Sequence, residues 1–249
     1  MSSIVVGNDV VDLAQPRTQG RSSDERFIAR VLAPAEAGAV RRSADPDLEL
    51  WCRWAAKEAG YKVVSKLIGA PPPFVHRAFE PVWEAGVGVA DASAGHVVVR
   101  RGVVRYAERA VPVTVERAGS TLHAVAHAAR EGRPVRVSVV PRVASLDETG
   151  AVWAASREEL TSRLTPREAD AVYSLASAAV RVGARGELAA LMGVDEARVE
   201  IVCAPGPASQ RPPRVLLDGR DAEADVSLSH DGRWIAWALW APSIPETLS

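Results

Sequence analysis

Two side chains that could perform acid–base chemistry beside a bound anion, Glu58 and Lys62, share a four-residue spacing with Trp54. Trp54, Glu58 and Lys62 lie in the segment Trp54-Ala-Ala-Lys57-Glu58-Ala-Gly-Tyr61-Lys62. This spacing places them on one stripe of an α-helix. On a solvated surface the stripe is an ion pair that stabilises the helix by about 0.3–0.5 kcal/mol. On the wall of a pocket, the same stripe supplies a general base next to a cation.

The stripe requires a long helix, and the sequence contains signals for both of its ends. Asp45 can cap the N-terminus, and Pro46 suits the first helical position. Gly69 and Pro71 follow the last apolar residues, where they end a helix. We therefore predict a helix over residues 46–68.

A carboxylate interrupts the apolar run near the N-terminus. Residues 4–12 are rich in Ile and Val and include Asp9 and Asp12, which predicts a buried strand. A buried carboxylate requires a partner. Asp9 therefore either lies at a solvated strand end or Asx turn, or binds a hard cation such as Mg²⁺. Asp12 would face the opposite side of a regular strand, which makes it the weaker candidate.

The residues after the long helix predict a small antiparallel sheet. Val-rich segments alternate with glycine-containing turns over residues 74–90, 96–106, 111–117, 121–129 and 135–140. His123 and His127 lie in one of these segments, and we expect both to be packed rather than functional.

The second half of the chain carries candidate anion-binding residues. After a connector at 141–151, a predicted helix over 174–192 places Arg181 and Arg185 on one face. Such a pair of guanidinium groups is either solvated or binds a phosphate or carboxylate. A hairpin follows, with strands predicted at residues 225–229 and 234–240. Its turn, His230–Arg233, would expose His230 to a ligand.

Composition excludes several classes of protein. The 30 basic and 31 acidic residues give a net charge of −1, which provides no global field for nucleic acid or an anionic membrane. Cys52 and Cys203 are the only cysteines, which argues against a disulfide framework and fits a reducing cytoplasm. No signal peptide or apolar run of about 18 residues is recognisable. We find no zinc, P-loop or Rossmann pattern either.

Three patterns together resemble the 4′-phosphopantetheinyl transferase superfamily. They are Gly7-x-Asp9-x-x-Asp12, Trp54-x-x-Lys57-Glu58-Ala-x-x-Lys62 and Ser227-x-Ser229-His230-Asp231-Gly232. The segment from Phe27 to Glu36 is also similar to the holo-acyl-carrier-protein synthase branch of that family. The resemblance covers roughly residues 1–140 and 165–241.

The resemblance implies an α+β fold built from a pseudo-twofold pair of similar subdomains. In the long branch of the family, the half with the Ser-His turn comes first, whereas here it comes second. We therefore expect a pseudo-dimer with its halves in reversed order, at residues 1–142 and 150–249. Its active site would lie in the cleft between the halves, and the protein would be a monomer in the cytoplasm.

The resemblance also implies an activity. Members of the family transfer 4′-phosphopantetheine from coenzyme A to a serine of an apo acyl or peptidyl carrier protein and release 3′,5′-ADP. Asp9 and Glu58 would hold Mg²⁺, Glu58 would also be the general base, and Lys62 would contact the diphosphate. Trp54 would line the pocket or belong to the core.

The second half would then bind the nucleotide end of coenzyme A. Ser229 and His230 would contact the 3′-phosphate, with further positive charge from Arg181, Arg185 and Arg211. Neither nucleic acid nor a membrane is an expected partner.

Some positions depart from the family pattern. Val11 occupies the place of a carboxylate that is usual in the long branch, and Arg211 stands where lysine is more common. The alternatives are a non-catalytic member that binds coenzyme A or a carrier protein, and an unrelated α+β protein. The joint presence of Asp9, Glu58 and Lys62 argues against a non-catalytic member. No residue indicates which type of carrier is modified.

Overall fold

The chain forms two compact units. The computed structural model describes residues 3–69, 71–73, 75–85, 97–130, 139–146, 155–203 and 211–242. The N-terminal unit is formed by residues 7–128, and the C-terminal unit by residues 1–6 together with 129–249. This grouping assigns residues 1–6 and 129–142 to the C-terminal unit. The functional division at 142 and 150 stays a prediction.

In the described part of the chain, one strand is followed by three α-helices, five strands, three α-helices and five further strands. The helices are α1 Glu25–Val31, α2 Pro34–Arg42, α3 Pro46–Ile68, α4 Arg157–Ser162, α5 Pro166–Ala169 and α6 Leu175–Met192. The first strands are β1 Ile4–Asp12, β2 Glu80–Trp83, β3 Val97–Tyr106, β4 Arg109–Ala118, β5 Thr121–Ala129 and β6 Val140–Ser145. The others are β7 Val199–Val202, β8 Arg214–Leu217, β9 Arg220–Asp221, β10 Asp225–Asp231 and β11 Trp234–Trp240. The mixed α+β class agrees with the expectation.

Helix α3 packs on the sheet that dominates the N-terminal unit. The strand order of this sheet is β1-β5-β4-β3-β2, and α3 contacts both β3 and β4. Asp45 caps the helix by accepting a hydrogen bond from the Leu48 amide. Gly69 ends it with a left-handed φ of 75°. The predicted bounds of α3 and of β1 are confirmed.

Glycines allow α3 to approach the sheet closely. A Cβ atom on Gly7 of β1 would lie only 2.1 Å from the carbonyl oxygen of Ala59. On the helix side, a Cβ atom on Gly60 would lie 2.8 Å from a Val104 methyl group. Because residues two apart on a strand share a face, the contact at Gly7 also directs Asp9 toward α3.

The C-terminal unit places a second long helix on antiparallel strands. Helix α6 contacts β10 and β11, in a sheet of order β10-β11-β6, and a second sheet has the order β7-β8-β9. Ser174 caps α6, and Gly193 ends it with a φ of 65°, close to the predicted bounds. The apolar core between these elements includes Leu160, Leu188, Val226, Ile235, Trp237 and Leu239.

Two predictions about strands were wrong. Strand β6 pairs with β11, so residues 140–145 belong neither to the N-terminal sheet nor to a connector. β6 lies at the edge of its sheet, where Pro141 is tolerated in a strand. Within the described part of segment 74–90, only the four residues of β2 are extended in a sheet. Residues 135–138 and 147–151 lie outside the described residues.

Among the residues that the structure describes, no helix is both long enough and apolar enough to cross a membrane.

We predict that Gly7→Ala strongly destabilises the protein, because the new Cβ would collide with the backbone of α3. Gly38→Ala is the matched control. Its Cβ would meet only the end of the flexible Arg42 side chain, and alanine favours the helical state. Urea unfolding should therefore give a lower midpoint for Gly7→Ala and an unchanged or higher midpoint for Gly38→Ala. Equal midpoints would show that the close approach at Gly7 is unimportant.

Candidate active site

The middle of α3 exposes one stripe of polar and aromatic side chains. Between residues 51 and 64, only Trp54, Glu58, Tyr61 and Lys62 are partly exposed, and the other residues of this segment are buried. This is the stripe that the four-residue spacing predicts. The hydrophobic packing of the helix on the sheet thus leaves an acid and a base accessible.

The structure brings Asp9 to this stripe. Asp9 is the only partly exposed residue of β1, since the rest of the strand is buried. The Lys62 Nζ atom lies 3.7 Å from the Asp9 Oδ1 atom. Lys62 also donates a 2.6 Å hydrogen bond to the carbonyl oxygen of Asn8, which ties the lysine to the strand. The Asn8 side chain contacts the Nε2 atom of His123 at 3.1 Å.

The surroundings of Glu58 favour its protonated form. The pKa of Glu58 is raised to about 7: burial is the largest cause, the Asp9 charge acts in the same direction, and the Lys62 charge opposes both. A carboxyl group that titrates near neutral pH can accept and release a proton under physiological conditions. Asp9, Glu58 and Lys62 therefore form an electrostatically coupled cluster.

His76 is a neighbour of Glu58 that the sequence did not indicate. Its Nε2 atom lies 3.8 Å from the Glu58 Oε1 atom, and its ring lies 4.5 Å from the Trp54 ring. Burial, followed by the charges of Lys57 and Arg30, lowers the pKa of His76. The imidazole is thus neutral near pH 7, and its contact with Glu58 is not an ion pair. No motif or spacing connects His76 with α3.

Lys57, which directly precedes Glu58, has a different environment from Lys62. Its side chain is fully buried, and its Nζ atom donates a 2.7 Å hydrogen bond to Glu36 on α2. The same atom donates to the carbonyl oxygens of Phe79 and His76, at 2.7 Å and 3.1 Å. Lys57 therefore fixes the turn that carries His76.

A chain of buried charges extends this network along α3. Arg53 lies 2.7 Å from Glu49 on the same helix. Glu49 also accepts hydrogen bonds from Arg100 of β3 at 2.6 Å and from the Trp83 indole of β2 at 3.1 Å. These contacts attach two strands to the face of α3 that lies away from the exposed stripe.

Asp9 and Glu58 suit a divalent cation that takes only two ligands from the protein. Among the described residues, no group of three or more His, Cys, Asp or Glu side chains could hold a metal ion. Mg²⁺, however, is commonly bound by one or two carboxylates together with waters and substrate phosphates. The Asp9 charge raises the pKa of Glu58, so the two carboxylates repel each other, and a cation between them would relieve this repulsion.

In the C-terminal unit, the prediction that His230 lies in a turn was wrong. β10 continues to Asp231, and His230 pairs with Ile235 of β11, so the loop contains only Gly232 and Arg233. Gly232 adopts a φ of 55°, which permits this tight connection.

Ser229 and His230, both predicted to contact the ligand, lie on opposite faces of the sheet. Ser229 and His230 are adjacent in β10, so their side chains point to opposite faces of the sheet. Ser229 is buried, whereas His230 is partly exposed. The Nε2 atom of His230 lies 2.9 Å from the hydroxyl oxygen of Tyr173, which is 68% exposed. His230 is therefore the more accessible of the two.

The three candidate arginines have different environments. Arg185 is buried and pairs with Glu168 at 2.9 Å and with Glu196 at 2.7 Å. Its guanidinium group thus attaches α6 to the two segments that carry these glutamates. Arg181 is also buried, and its Nη1 atom donates to the carbonyl oxygen of Ser177 at 2.9 Å. Arg211 is exposed. The contacts of Arg185 favour a structural role, whereas Arg211 is accessible to a ligand.

We predict that Arg185→Met lowers the free energy of unfolding by about 3–5 kcal/mol, because Glu168 would become a buried charge without its partner. The matched control is Arg198→Met, which removes an exposed ion pair with Asp218 and should change stability little. Chemical denaturation of both variants measures the difference. Equal losses would contradict a structural role for Arg185.

We also predict that Glu58→Gln changes the pH dependence of stability in metal-free buffer. The pKa of Glu58 is higher in the folded state, so this residue reduces stability as the pH rises from about 4.5 to about 7. Glutamine stays neutral, so the variant should become more stable than the parent protein by about 1–3 kcal/mol at pH 8. The two proteins should be equally stable near pH 4.

Glu108→Gln, at an exposed position, is the control. Parallel stability profiles for Glu58→Gln and the parent would contradict the raised pKa.

Comparison with known proteins shows that Asp9, Glu58 and Lys62 lie in a segment that matches a known protein family. Residues 5–92 match the family model described as the 4′-phosphopantetheinyl transferase superfamily. A 66-residue stretch is 41% identical to holo-[acyl-carrier-protein] synthase of Azoarcus sp. (strain BH72), and covers 26% of this chain and 53% of that protein. A 76-residue stretch is 33% identical to holo-[acyl-carrier-protein] synthase of Shewanella frigidimarina (strain NCIMB 400), and covers 30% of this chain and 60% of that protein.

The chain thus spans little more than half the length of these curated relatives. The matched segment contains Gly7, whose lack of a side chain allows the close approach of α3, and the coupled residues Asp9, Glu58 and Lys62. Residues 5–92 are therefore similar to the 4′-phosphopantetheinyl transferase superfamily.

Proposed function

We propose that this protein transfers 4′-phosphopantetheine from coenzyme A to a serine of an apo acyl or peptidyl carrier protein. The observation that carries the proposal is the cluster of Asp9, Glu58 and Lys62, in which Glu58 has a pKa of about 7. This cluster lies within the segment that matches the transferase superfamily. Both similar proteins are named holo-[acyl-carrier-protein] synthase, which supports a carrier protein as the acceptor.

The reaction requires a base and a group that neutralises phosphate charge. The hydroxyl oxygen of the carrier serine attacks the phosphorus atom next to the pantetheine group, and the bond from that phosphorus to the bridging diphosphate oxygen breaks. Glu58 accepts the serine proton, directly or through a water molecule, and 3′,5′-ADP leaves. The Lys62 ammonium group stabilises the negative charge that develops on the diphosphate.

Asp9 and Glu58 would hold Mg²⁺, which, when bound, neutralises diphosphate charge. Lys62 also orients the strand that carries Asp9, because it donates a hydrogen bond to the carbonyl oxygen of Asn8. The partial exposure of Glu58 and Lys62 supports access for both substrates.

We further propose that residues of both units bind the same coenzyme A molecule. Each unit consists of a long helix on antiparallel strands, which supports an origin as two related halves. His230 and the exposed Arg211 would contact the 3′-phosphate, with Arg181 and Ser229 supporting that surface. Arg185 would stabilise α6 rather than contact the ligand, since two carboxylates already surround it.

The proposal predicts that the protein, incubated with coenzyme A and Mg²⁺, adds the mass of one phosphopantetheine group to an apo carrier protein. Apo carriers of fatty-acid, polyketide and nonribosomal-peptide synthesis should be tested side by side by mass spectrometry. Glu58→Gln should lower kcat by about 10²–10⁴-fold, because it removes the general base. Glu108→Gln is the control and should retain full activity.

Two outcomes would contradict the proposal. Wild-type activity in a folded Glu58→Gln variant would exclude Glu58 as the base. If the protein binds coenzyme A but adds mass to none of the carriers, it is instead a non-catalytic binding protein.

A further inference from the structure

Two different elements confine the Glu58 carboxylate. On α3, Trp54 lies one turn before Glu58 and Lys62 lies one turn after it. The ring of His76 covers the Trp54 side, with its Nε2 atom 3.8 Å from Glu58 Oε1. On the other side, Lys62 and Asp9 act on the charge of Glu58. The carboxylate therefore lies between an imidazole and a charged pair.

The position of His76 is held at both its backbone and its ring. The fully buried Lys57 donates a hydrogen bond to the His76 carbonyl oxygen at 3.1 Å and to the Phe79 carbonyl oxygen at 2.7 Å. The imidazole packs at 32° to the plane of Trp54. Trp54 is itself stacked on Phe27 of α1, with ring centroids 5.6 Å apart.

We infer that His76 is a positioning residue for Glu58, and that Lys57 supports the site by fixing the turn that carries His76. This inference rests on the proposed function, since it assigns a task to a neighbour of the proposed base. In the substrate complex, the imidazole tautomer with its proton on Nε2 would donate to Glu58 Oε1 and restrict the orientation of the carboxylate.

The observed separation is compatible with this role. At 3.8 Å the two atoms are beyond hydrogen-bond distance. Hydrogen bonds in active sites are often long without a ligand and shorten when the substrate complex forms. Residues that orient a metal ligand or a base typically contribute 10–100-fold to metal affinity or activity, although they do not touch the reacting atoms.

Two substitutions of His76 separate positioning from packing. His76→Phe keeps an aromatic ring on Trp54 but removes the nitrogen that faces Glu58. His76→Gln loses the ring but keeps a side-chain amide that can donate to the carboxylate. His127→Phe is the matched control, because His127 is a partly buried histidine of the same unit, on β5.

In the full chain, His76→Phe should lower kcat about 10–100-fold and change KM for coenzyme A less than about twofold. His76→Gln should recover a substantial part of kcat, and His127→Phe should behave like the parent. Mn²⁺ binding, measured without coenzyme A by the loss of the free-ion electron paramagnetic resonance signal, should be about tenfold weaker in His76→Phe.

Wild-type kcat and Mn²⁺ affinity in His76→Phe would overturn the inference, even if the parent protein is an active transferase. Equal losses of activity in both His76 variants, together with equal losses of thermal stability, would also overturn it, because packing alone would then explain the effect. If the parent protein transfers nothing, the proposed function fails. The Mn²⁺ affinities then decide separately whether His76 positions Glu58: weaker binding in His76→Phe supports the inference, and unchanged binding overturns it.

Discussion

The close approach of β1 to α3 is the constraint on which the candidate site depends. It exists because Gly7 has no side chain: a Cβ atom there would lie 2.1 Å from the Ala59 carbonyl oxygen. Ala59 directly follows Glu58 on the helix, and Asp9 shares the strand face of Gly7. Burial is the main cause of the raised pKa of Glu58, and the glycine allows the Asp9 charge to come near enough to add to it. In the Gly7-x-Asp9 motif, Gly7 permits the close approach of the helix and Asp9 supplies the carboxylate.

The two lysines near Glu58 show how the same residue type serves two purposes on one helix. Lys57 is fully buried against Glu36, and its cost of desolvation is offset by an ion pair and two carbonyl acceptors. Lys62, one turn after Glu58, remains partly exposed and lies beside Asp9. Burial thus converts the first lysine into a structural support for the His76 turn, whereas exposure leaves the second available to a phosphate group.

Local signals explain which features could be predicted from the sequence. The bounds of α3 followed from Asp45 and Gly69, and the exposed stripe followed from helical periodicity. Tertiary features could not be predicted in this way. The pairing of β6 depends on a partner strand far along the chain, and the place of His230 depends on a hairpin that turns two residues later than its sequence indicated. His76 lies near Glu58 on a turn that a buried lysine holds, and no spacing in the sequence encodes that contact.

The stoichiometry of the products distinguishes phosphopantetheine transfer from simple hydrolysis of coenzyme A. The protein would be incubated with coenzyme A, Mg²⁺ and an apo carrier, and 3′,5′-ADP and modified carrier would be measured in the same sample. The proposed transfer predicts that the two products appear in equal amounts and that both form about 10²–10⁴-fold more slowly when Glu58 is replaced by glutamine. Release of 3′,5′-ADP without modification of the carrier, or equal product formation by the folded Glu58→Gln variant, would contradict it.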